Sequence, residues 1–492
     1  MMQFRFKRPL VLYLFFLSAL FILNTVRNKL LIYSPSAKSI LLFSVIAFFF
    51  TFVCFLFCKL LLKDKIRAGL LSLVIIIFSF YYFDIYYSLF DFKFPREIIS
   101  NFLFSKFHIV LVVLMFAISY AIYFLLKRIR QNLARVNTYF NLVFFLFLLL
   151  EIYKMVSYKK FDIVLTNQAR ASEIHFNPDS IQKRNIYYIV LDSYTSSSSL
   201  KKYWSYDNAE LEKFLSEKGF FIADKSNCNY NSTPFSIVSS LNMSYLNFGN
   251  YDQAQNVQIS RTYNLIEKNA VSEILSSNGY EIKNLSLFDL QSATAFYEDP
   301  FYKKENLFDR TILFLITEKF NITHEHERLL SLSKINTDIF SKLISSSIRP
   351  TFFYAHLMMP HFPYFFDSKG NAMAEVYARS EENRKEKYLE QLKYTNHLLM
   401  ESINKILSES KTQPIIIIQG DHGFRDLKEL GMQERIEESK TIFNAYLLPE
   451  SEKKLLCDSI SPVNSFRIVF NQYFKTDLSL LEDKFYNTEI KQ

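Results

Sequence analysis

The stretch Pro414–Arg425, PIIIIQGDHGFR, decides how the rest of the chain reads. Four consecutive isoleucines, Ile415–Ile418, predict a strand buried on both faces, as in the middle of a parallel sheet. The run stops at Gln419 and Gly420 and delivers Asp421, His422 and Gly423 at the strand's carboxyl end, where open α/β sheets place their ligand sites. A carboxylate beside an imidazole suits a divalent transition metal such as zinc or manganese. On its own the stretch reads equally well as a core strand followed by a polar loop, so partners elsewhere in the chain must decide.

The 492 residues allow two to three domains. Residues 1–156 carry 18 Lys and Arg against 5 Asp and Glu, whereas the remainder carries 39 against 43. The basic excess therefore belongs to the N-terminal part and does not point to nucleic acid. That part holds five apolar segments, Pro9–Val26, Ser39–Cys58, Ala68–Phe90, Phe107–Leu126 and Thr138–Val156. Each approaches the ~20 residues that a bilayer-spanning helix needs. A cleaved signal peptide accounts for the first at most, and no small-residue cleavage site follows it. Lys and Arg crowd before the first segment, between the second and third, and between the fourth and fifth, and thin out in the alternate loops. The amino terminus is thus expected in the cytoplasm and everything after Val156 outside it. Asp84 and Glu151 read as interfacial residues beside Tyr86, Tyr87 and Lys154 rather than as intramembrane sites. Cys54 and Cys58 fall in an apolar run, which leaves Cys228 and Cys457 as the pair that export would allow to join.

Residues 157–184 read as a polar connector, and residues 185–492 as an α/β domain with a largely parallel central sheet, because strand and helix signals alternate. Asn185–Leu191, NIYYIVL, is a buried strand ending at Asp192. Asn208–Lys218 reads as a helix. In Asn229–Tyr245, Pro234 suits the first position of a helix and Thr233 its N-cap, and such a helix end is a ready anion site. Leu265–Ser277 reads as one amphipathic helix, Tyr280–Leu285 and Thr351–His356 as strands. Two prolines hold His361 in the stiff loop LMMPHFPY. Glu382–Ser408 is a long helix, and Thr441–Leu448 and Ser461–Phe474 are a further strand and helix. His324 and His326 have chelating spacing but read as surface, and His397 as a helix face.

Four runs, YYIVLDSY (Tyr187–Tyr194), NSTPFSIVSSLNM (Asn231–Met243), HLMMPHFPY (His356–Tyr364) and IIIIQGDHG (Ile415–Gly423), resemble the alkaline phosphatase and sulfatase superfamily in order and spacing. The likeness covers about residues 185–450 and is closest to bacterial membrane proteins with a sulfatase-like outer domain, such as lipoteichoic acid synthase and the phosphoethanolamine transferases. The resemblance implies an alkaline-phosphatase-like fold in which Asp192, Thr233, Asp421 and His422 bind one divalent metal ion, zinc or manganese ahead of calcium or magnesium. It implies Thr233 as nucleophile, with His361 acting in catalysis and substrate binding and His356 in substrate binding. A Thr hydroxyl becomes a competent nucleophile when a metal lowers its pKa. Sulfatases use a Cys or Ser in a C/S-x-P-x-R run; here Thr233 stands with Pro immediately after it and no Arg follows, so sulfate-ester hydrolysis is disfavoured. Ser193 stands where many relatives have a second acid, which argues for one metal rather than two.

The sequence therefore leads to a membrane-anchored, metal-dependent phosphotransferase or phosphodiesterase. Its five-helix transmembrane unit would span residues 1–156 and its extracytoplasmic catalytic domain residues 185–492. The expected setting is the bacterial cytoplasmic (inner) membrane, with the lipid bilayer and a phospholipid or envelope polysaccharide substrate as partners and no nucleic acid. An inactive sulfatase-fold protein of envelope assembly or sensing is the rival expectation, and a sulfatase the weaker one.

Overall fold

Ile415–Ile418 are buried on both faces, as their sequence requires. They lie in a computed structural model that describes residues 10–30, 36–90, 103–157, 164–166, 183–247, 259–291, 293–297, 307–308, 311–313, 331–343, 348–374, 382–427, 429–449 and 455–488. The chain forms two compact units. One comprises Met1–Lys160 with Lys303–His324, and the other Phe161–Tyr302 with Glu325–Gln492.

The first unit is helical: α1 (Tyr13–Leu30), α2 (Ala37–Leu62), α3 (Lys65–Phe80), α4 (Tyr82–Phe90), α5 (Leu103–Arg128) and α6 (Ala134–Val156). Among the described residues, three stretches are long and apolar enough to cross a membrane, Ala37–Leu62, His108–Arg128 and Ala134–Val156, and the apolar helix Tyr13–Asn28 is shorter. The continuous segment expected over Ala68–Phe90 is divided at Tyr81, whose φ of −105° and ψ of 27° leave the helical range. The 16 residues of α3 rise about 24 Å, less than the ~30 Å hydrocarbon core. No Gly or Pro marks this break, so periodicity alone carries the reading straight through it.

Two asparagines of α6 fasten the start of α1. Asn141 Oδ1 accepts from the N–H groups of Leu12 and Tyr13 at 2.9 and 2.8 Å. Asn137 and Asn141 both donate to the Leu10 carbonyl. These bonds satisfy backbone groups that a helix end leaves open and that lipid cannot serve. Glu151 is buried and pairs with Arg27 of α1 at 2.6 Å, with the Lys154 ammonium 3.7 Å away. Its partner thus comes from another helix and not only from the neighbours that the sequence offered. Leu307 and Phe308 also belong to this unit, where the Phe308 ring meets Phe43 at 4.9 Å. A division at residue 156 does not anticipate that return.

The second unit holds β1 (Val164–Thr166), β2 (Ile186–Leu191), α7 (Ser197–Trp204), α8 (Ala209–Glu217), β3 (Phe221–Ile222), α9 (Thr233–Asn242), β4 (Tyr245–Asn247), α10 (Ile259–Glu267), α11 (Ala270–Ser277) and β5 (Glu281–Leu285). There follow α12 (331–342), β6 (Thr351–Leu357), α13 (Arg384–Glu409), β7 (Ile415–Gly420), α14 (Met432–Ser439), β8 (Asn444–Leu447) and α15 (Pro462–Tyr473). Six strands form one sheet in the order β3-β8-β7-β2-β6-β5. The pairs β2–β6, β2–β7 and β5–β6 are parallel, while β8 runs antiparallel to β7 and to β3. The sheet is thus mostly parallel with an antiparallel edge, as large α/β sheets often are. The fully buried strands β2, β6 and β7 are adjacent and parallel, so their carboxyl ends open side by side.

Three local readings change. The helix expected over Leu265–Ser277 is two, α10 and α11, because the backbone of Asn269 is extended and its buried side chain accepts from Ser272 N–H as an N-cap. The N-cap of α9 is Ser232, not Thr233, which is the first helical residue and precedes Pro234. Cys228 is a buried free thiol and Cys457 an exposed one. Most of the connector 157–184 and the His324–His326 pair lie outside the described residues. His397 sits on an exposed helix face beside Glu401.

Gly420 ends β7 where the chain from β2 passes closely: a Cβ there would meet the Tyr194 carbonyl oxygen at 2.4 Å. Backbone cannot move aside as a side chain can. Gly420→Ala is therefore expected to destabilise the protein by roughly 1–3 kcal/mol, read as a lower urea midpoint of the detergent-solubilised chain. An unchanged midpoint would contradict the close approach.

Candidate active site

The carboxyl ends of β2, β6 and β7 carry Asp192, His356 and the Asp421–His422 pair into one buried cluster. Asp192 follows β2, and its backbone N–H donates to the Leu357 carbonyl of β6 at 2.9 Å. Asp421 Oδ1 accepts two backbone N–H groups, from Ser193 at 2.9 Å and His422 at 2.8 Å. The Ser193 donor is aimed by a left-handed backbone at φ 62°. This anchors one carboxylate oxygen and leaves Oδ2, which is buried and has no hydrogen-bond partner. His422 Nδ1 lies 2.8 Å from the Gly423 carbonyl. A carbonyl only accepts, so the proton is on Nδ1 and the Nε2 lone pair points inward. There it faces Asp192 Oδ1 at 3.6 Å and Asp421 Oδ2 at 3.7 Å. His356, wholly buried on β6, turns Nε2 toward Asp192 Oδ2 at 3.9 Å, and this Nε2 also has no hydrogen-bond partner.

Electrostatics agree with the geometry. Burial lowers the His356 pKa to about 4 and, with help from the Arg425 guanidinium, that of His422 to about 3. Both imidazoles are neutral at physiological pH, the form that ligates metals. Burial opposes the charge on Asp421, but the His422 and His356 imidazoles and the hydrogen bonds it accepts hold its carboxyl below the usual range. Asp192, His356 and Asp421 offer ligand atoms all within 4.8 Å of one another. Buried polar atoms without partners are costly unless something pairs them. Asp421 Oδ2 and His356 Nε2 are such atoms, and a divalent cation bound by carboxylate oxygen and imidazole nitrogen matches the donor set.

Thr233 stands at the edge of this cluster, its Oγ1 3.5 Å from His422 Nε2. The Ser232 side chain makes no cap hydrogen bond, Pro234 has no N–H and the Phe235 N–H donates to the Ser232 carbonyl, so the Thr233 N–H is the donor that the first turn of α9 leaves open. Ser236 on the next turn donates to the Asp421 carbonyl at 2.7 Å, which fixes α9 against the β7 loop. The segment ahead of Thr233 is fixed as well. Tyr230 stacks on Tyr486 at 5.3 Å, Asn231 donates to Asn487 Oδ1 at 2.8 Å, and Thr488 N–H donates to Asn231 Oδ1 at 2.8 Å.

Above the cluster lies a cavity of about 350 Å³ lined by Asp192, Ser232, Thr233, Pro234, Tyr263, Leu287, Phe288, Met358, His361 and Arg425. His361 lies between two cis X–Pro bonds and is tied by its N–H to the Asp192 carbonyl at 3.1 Å. Burial, then Arg425, lowers its pKa to about 4. Its ring crosses that of His422 at 6.3 Å. All six residues singled out by sequence therefore lie in or beside this cluster: Asp192, His356, Asp421 and His422 form it, and Thr233 and His361 border it from the cavity. Sequence reasoning passed over Arg425, although it closes the very stretch PIIIIQGDHGFR. It lines the cavity and donates to the Asn231 carbonyl at 3.2 Å.

The sequence profile of the family described as Sulfatase matches residues 184–443, more than half of the chain and every strand end just described. The chain belongs to the sulfatase family. With it, the chain falls in the alkaline phosphatase and sulfatase superfamily. Among solved structures, this sulfatase-family chain is similar to the integral membrane lipooligosaccharide phosphoethanolamine transferase A of Neisseria meningitidis (12% identity, 94% of each chain, TM-score 0.38). It is similar to the periplasmic domain of phosphoethanolamine transferase EptC from Campylobacter jejuni (17% identity, 62% of this chain and 93% of that one, TM-score 0.38). It is also similar to the lipoteichoic acid synthase LtaP of Listeria monocytogenes (13% identity, 65% of this chain and 79% of that one, TM-score 0.37). No curated protein matches the sequence.

Proposed function

We propose that this sulfatase-family protein is a membrane-anchored phosphotransferase or phosphodiesterase that uses Thr233 as its nucleophile. The observation that carries the reading is the placing of the Thr233 hydroxyl, at an open helix start, 3.5 Å from His422 Nε2 beside the buried Asp192–His356–Asp421 group. Asp192, Asp421, His422 and His356 would hold one divalent cation, zinc or manganese by their donor set. Such an ion supplies positive charge that lowers the pKa of a nearby hydroxyl and offsets charge on phosphoryl oxygens.

The chain's own residues account for the rest. Thr233 Oγ1 forms a bond to phosphorus as the bond from phosphorus to the first alcohol breaks in line, giving a phospho-threonine. That alcohol leaves with a proton. An acceptor hydroxyl or water then attacks the same phosphorus and frees Thr233. Arg425 and the open end of α9 face the phosphoryl oxygens, and His361 stands across the cavity to assist the leaving alcohol. The helices within residues 1–156 anchor the chain in a bacterial cytoplasmic membrane with the amino terminus inside. Residues 185–492 then work outside, where phospholipids and envelope polymers are the available phosphate esters.

The test is mass spectrometry of the metal-loaded, full-length protein after exposure to candidate phospholipids. The expected result is a mass increment on the peptide containing Thr233, whose size identifies the transferred group. An increment on another residue, or none while the metal is bound and substrate is consumed, would overturn the assignment.

A further inference from the structure

The cavity beside Thr233 has a lining of two kinds. Thr233, His361 and Arg425 offer groups that can meet an anion, whereas Tyr263, Leu287, Phe288 and Met358 are aromatic or apolar. Phe288 packs edge-on against Tyr263 at 5.1 Å and backs onto the His356 ring at 5.8 Å, so the apolar lining continues down to the metal-ligand cluster. Among the described lining residues, Asp192 is the only carboxylate and Arg425 the only cation. Arg425 makes its hydrogen bond to a backbone carbonyl and has no ion pair among the described residues.

Two consequences follow if the site works as proposed above. Asp192 and Asp421 balance a divalent cation, which leaves the guanidinium as the one fixed charge facing the cavity. One positive charge matches a phosphodiester, a monoanion, better than a phosphomonoester. Beside Tyr263, Leu287, Phe288 and Met358 an ammonium group would lose its water without gaining a carboxylate among the described residues, in a cavity that also holds Arg425. An uncharged arm loses nothing there and gains from burial against Phe288, Leu287 and Met358.

We infer that the substrate is a phosphodiester monoanion, held by Arg425, with an uncharged and largely apolar ester arm lying along Tyr263, Leu287, Phe288 and Met358. This rests on the function proposed above and adds the substrate class to it.

The probe is a set of three phosphonate monoesters whose arm is joined by a P–C bond that the displacement does not break, and that differ at one tip. They are the methyl esters of propylphosphonic, 2-aminoethylphosphonic and 2-(trimethylammonio)ethylphosphonic acid. Binding to the zinc- or manganese-loaded, full-length protein in detergent is measured by calorimetry. The propyl compound is expected to bind at least about tenfold more tightly than either ammonium compound. Arg425→Gln should weaken all three alike, and Leu287→Glu should shift the preference toward the aminoethyl compound. Equal or tighter binding of an ammonium compound to the wild type overturns the inference and leaves the nucleophile reading intact. The trimethylammonium compound is the sharper of the two, because aromatic rings attract quaternary ammonium. Failure of all three to bind the metal-loaded protein, with no adduct on Thr233, overturns both.

Discussion

Thr233→Ala is expected to reduce metal-dependent phosphodiester turnover by on the order of 10³-fold or more, equivalent to about 4 kcal/mol of transition-state stabilisation. The side chain is small and lines the cavity, and Thr233 is not at the N-cap position of α9, so the helix should survive the change. Metal content should survive too, because Asp192, His356 and Asp421 form the buried group without Thr233. Thr233→Ser keeps a hydroxyl at the same place and should retain a substantial part of the rate. The measurement is turnover of a chromogenic phosphodiester alongside metal analysis of the same samples. An alanine variant with full metal and wild-type turnover would remove Thr233 from the chemistry.

Asp421→Asn is expected to cost far more stability with metal than without it. An asparagine at that position keeps an acceptor for the Ser193 and His422 N–H groups, but it loses the ionised carboxylate that its surroundings favour. A carboxyl held below its usual range contributes stability at neutral pH. After chelation, the variant should therefore melt modestly below the wild-type temperature. With saturating zinc or manganese the gap should widen, because only the wild type gains the free energy of tight binding. Turnover should fall with metal occupancy. If the chelated variant melted well below the wild type, Asp421 would be a structural residue first and a ligand second.

The core of the fold was legible because it rests on short, strong signals. Ile415–Ile418 and IYYIVL each form a strand buried on both faces, and they pair directly in the sheet. What escaped notice had no local signal. A strand buried on both faces has no alternation, so nothing in TFFYAHL tells that His356 turns toward Asp192 and not toward solvent. Arg425 and Thr233 are far apart in sequence, and only the sheet order brings them to one cavity. The Ser-Thr-Pro run offers two adjacent capping residues, and the backbone chose the first. The division of Ala68–Phe90 at Tyr81 lacks the Gly or Pro that usually announces one. Where residues gather was therefore more readable than how each side chain is turned.

The bonds from residues 486–488 to Tyr230 and Asn231 carry a consequence for biosynthesis. Asn231 and Thr488 are 257 positions apart, so the loop that presents Thr233 gains these supports only after every strand of the central sheet has been made. A chain cut before residue 486 would keep Asp192, His356, Asp421 and His422 but lose the brace behind Thr233. The order of synthesis thus sets the proposed ligands before the seat of the nucleophile.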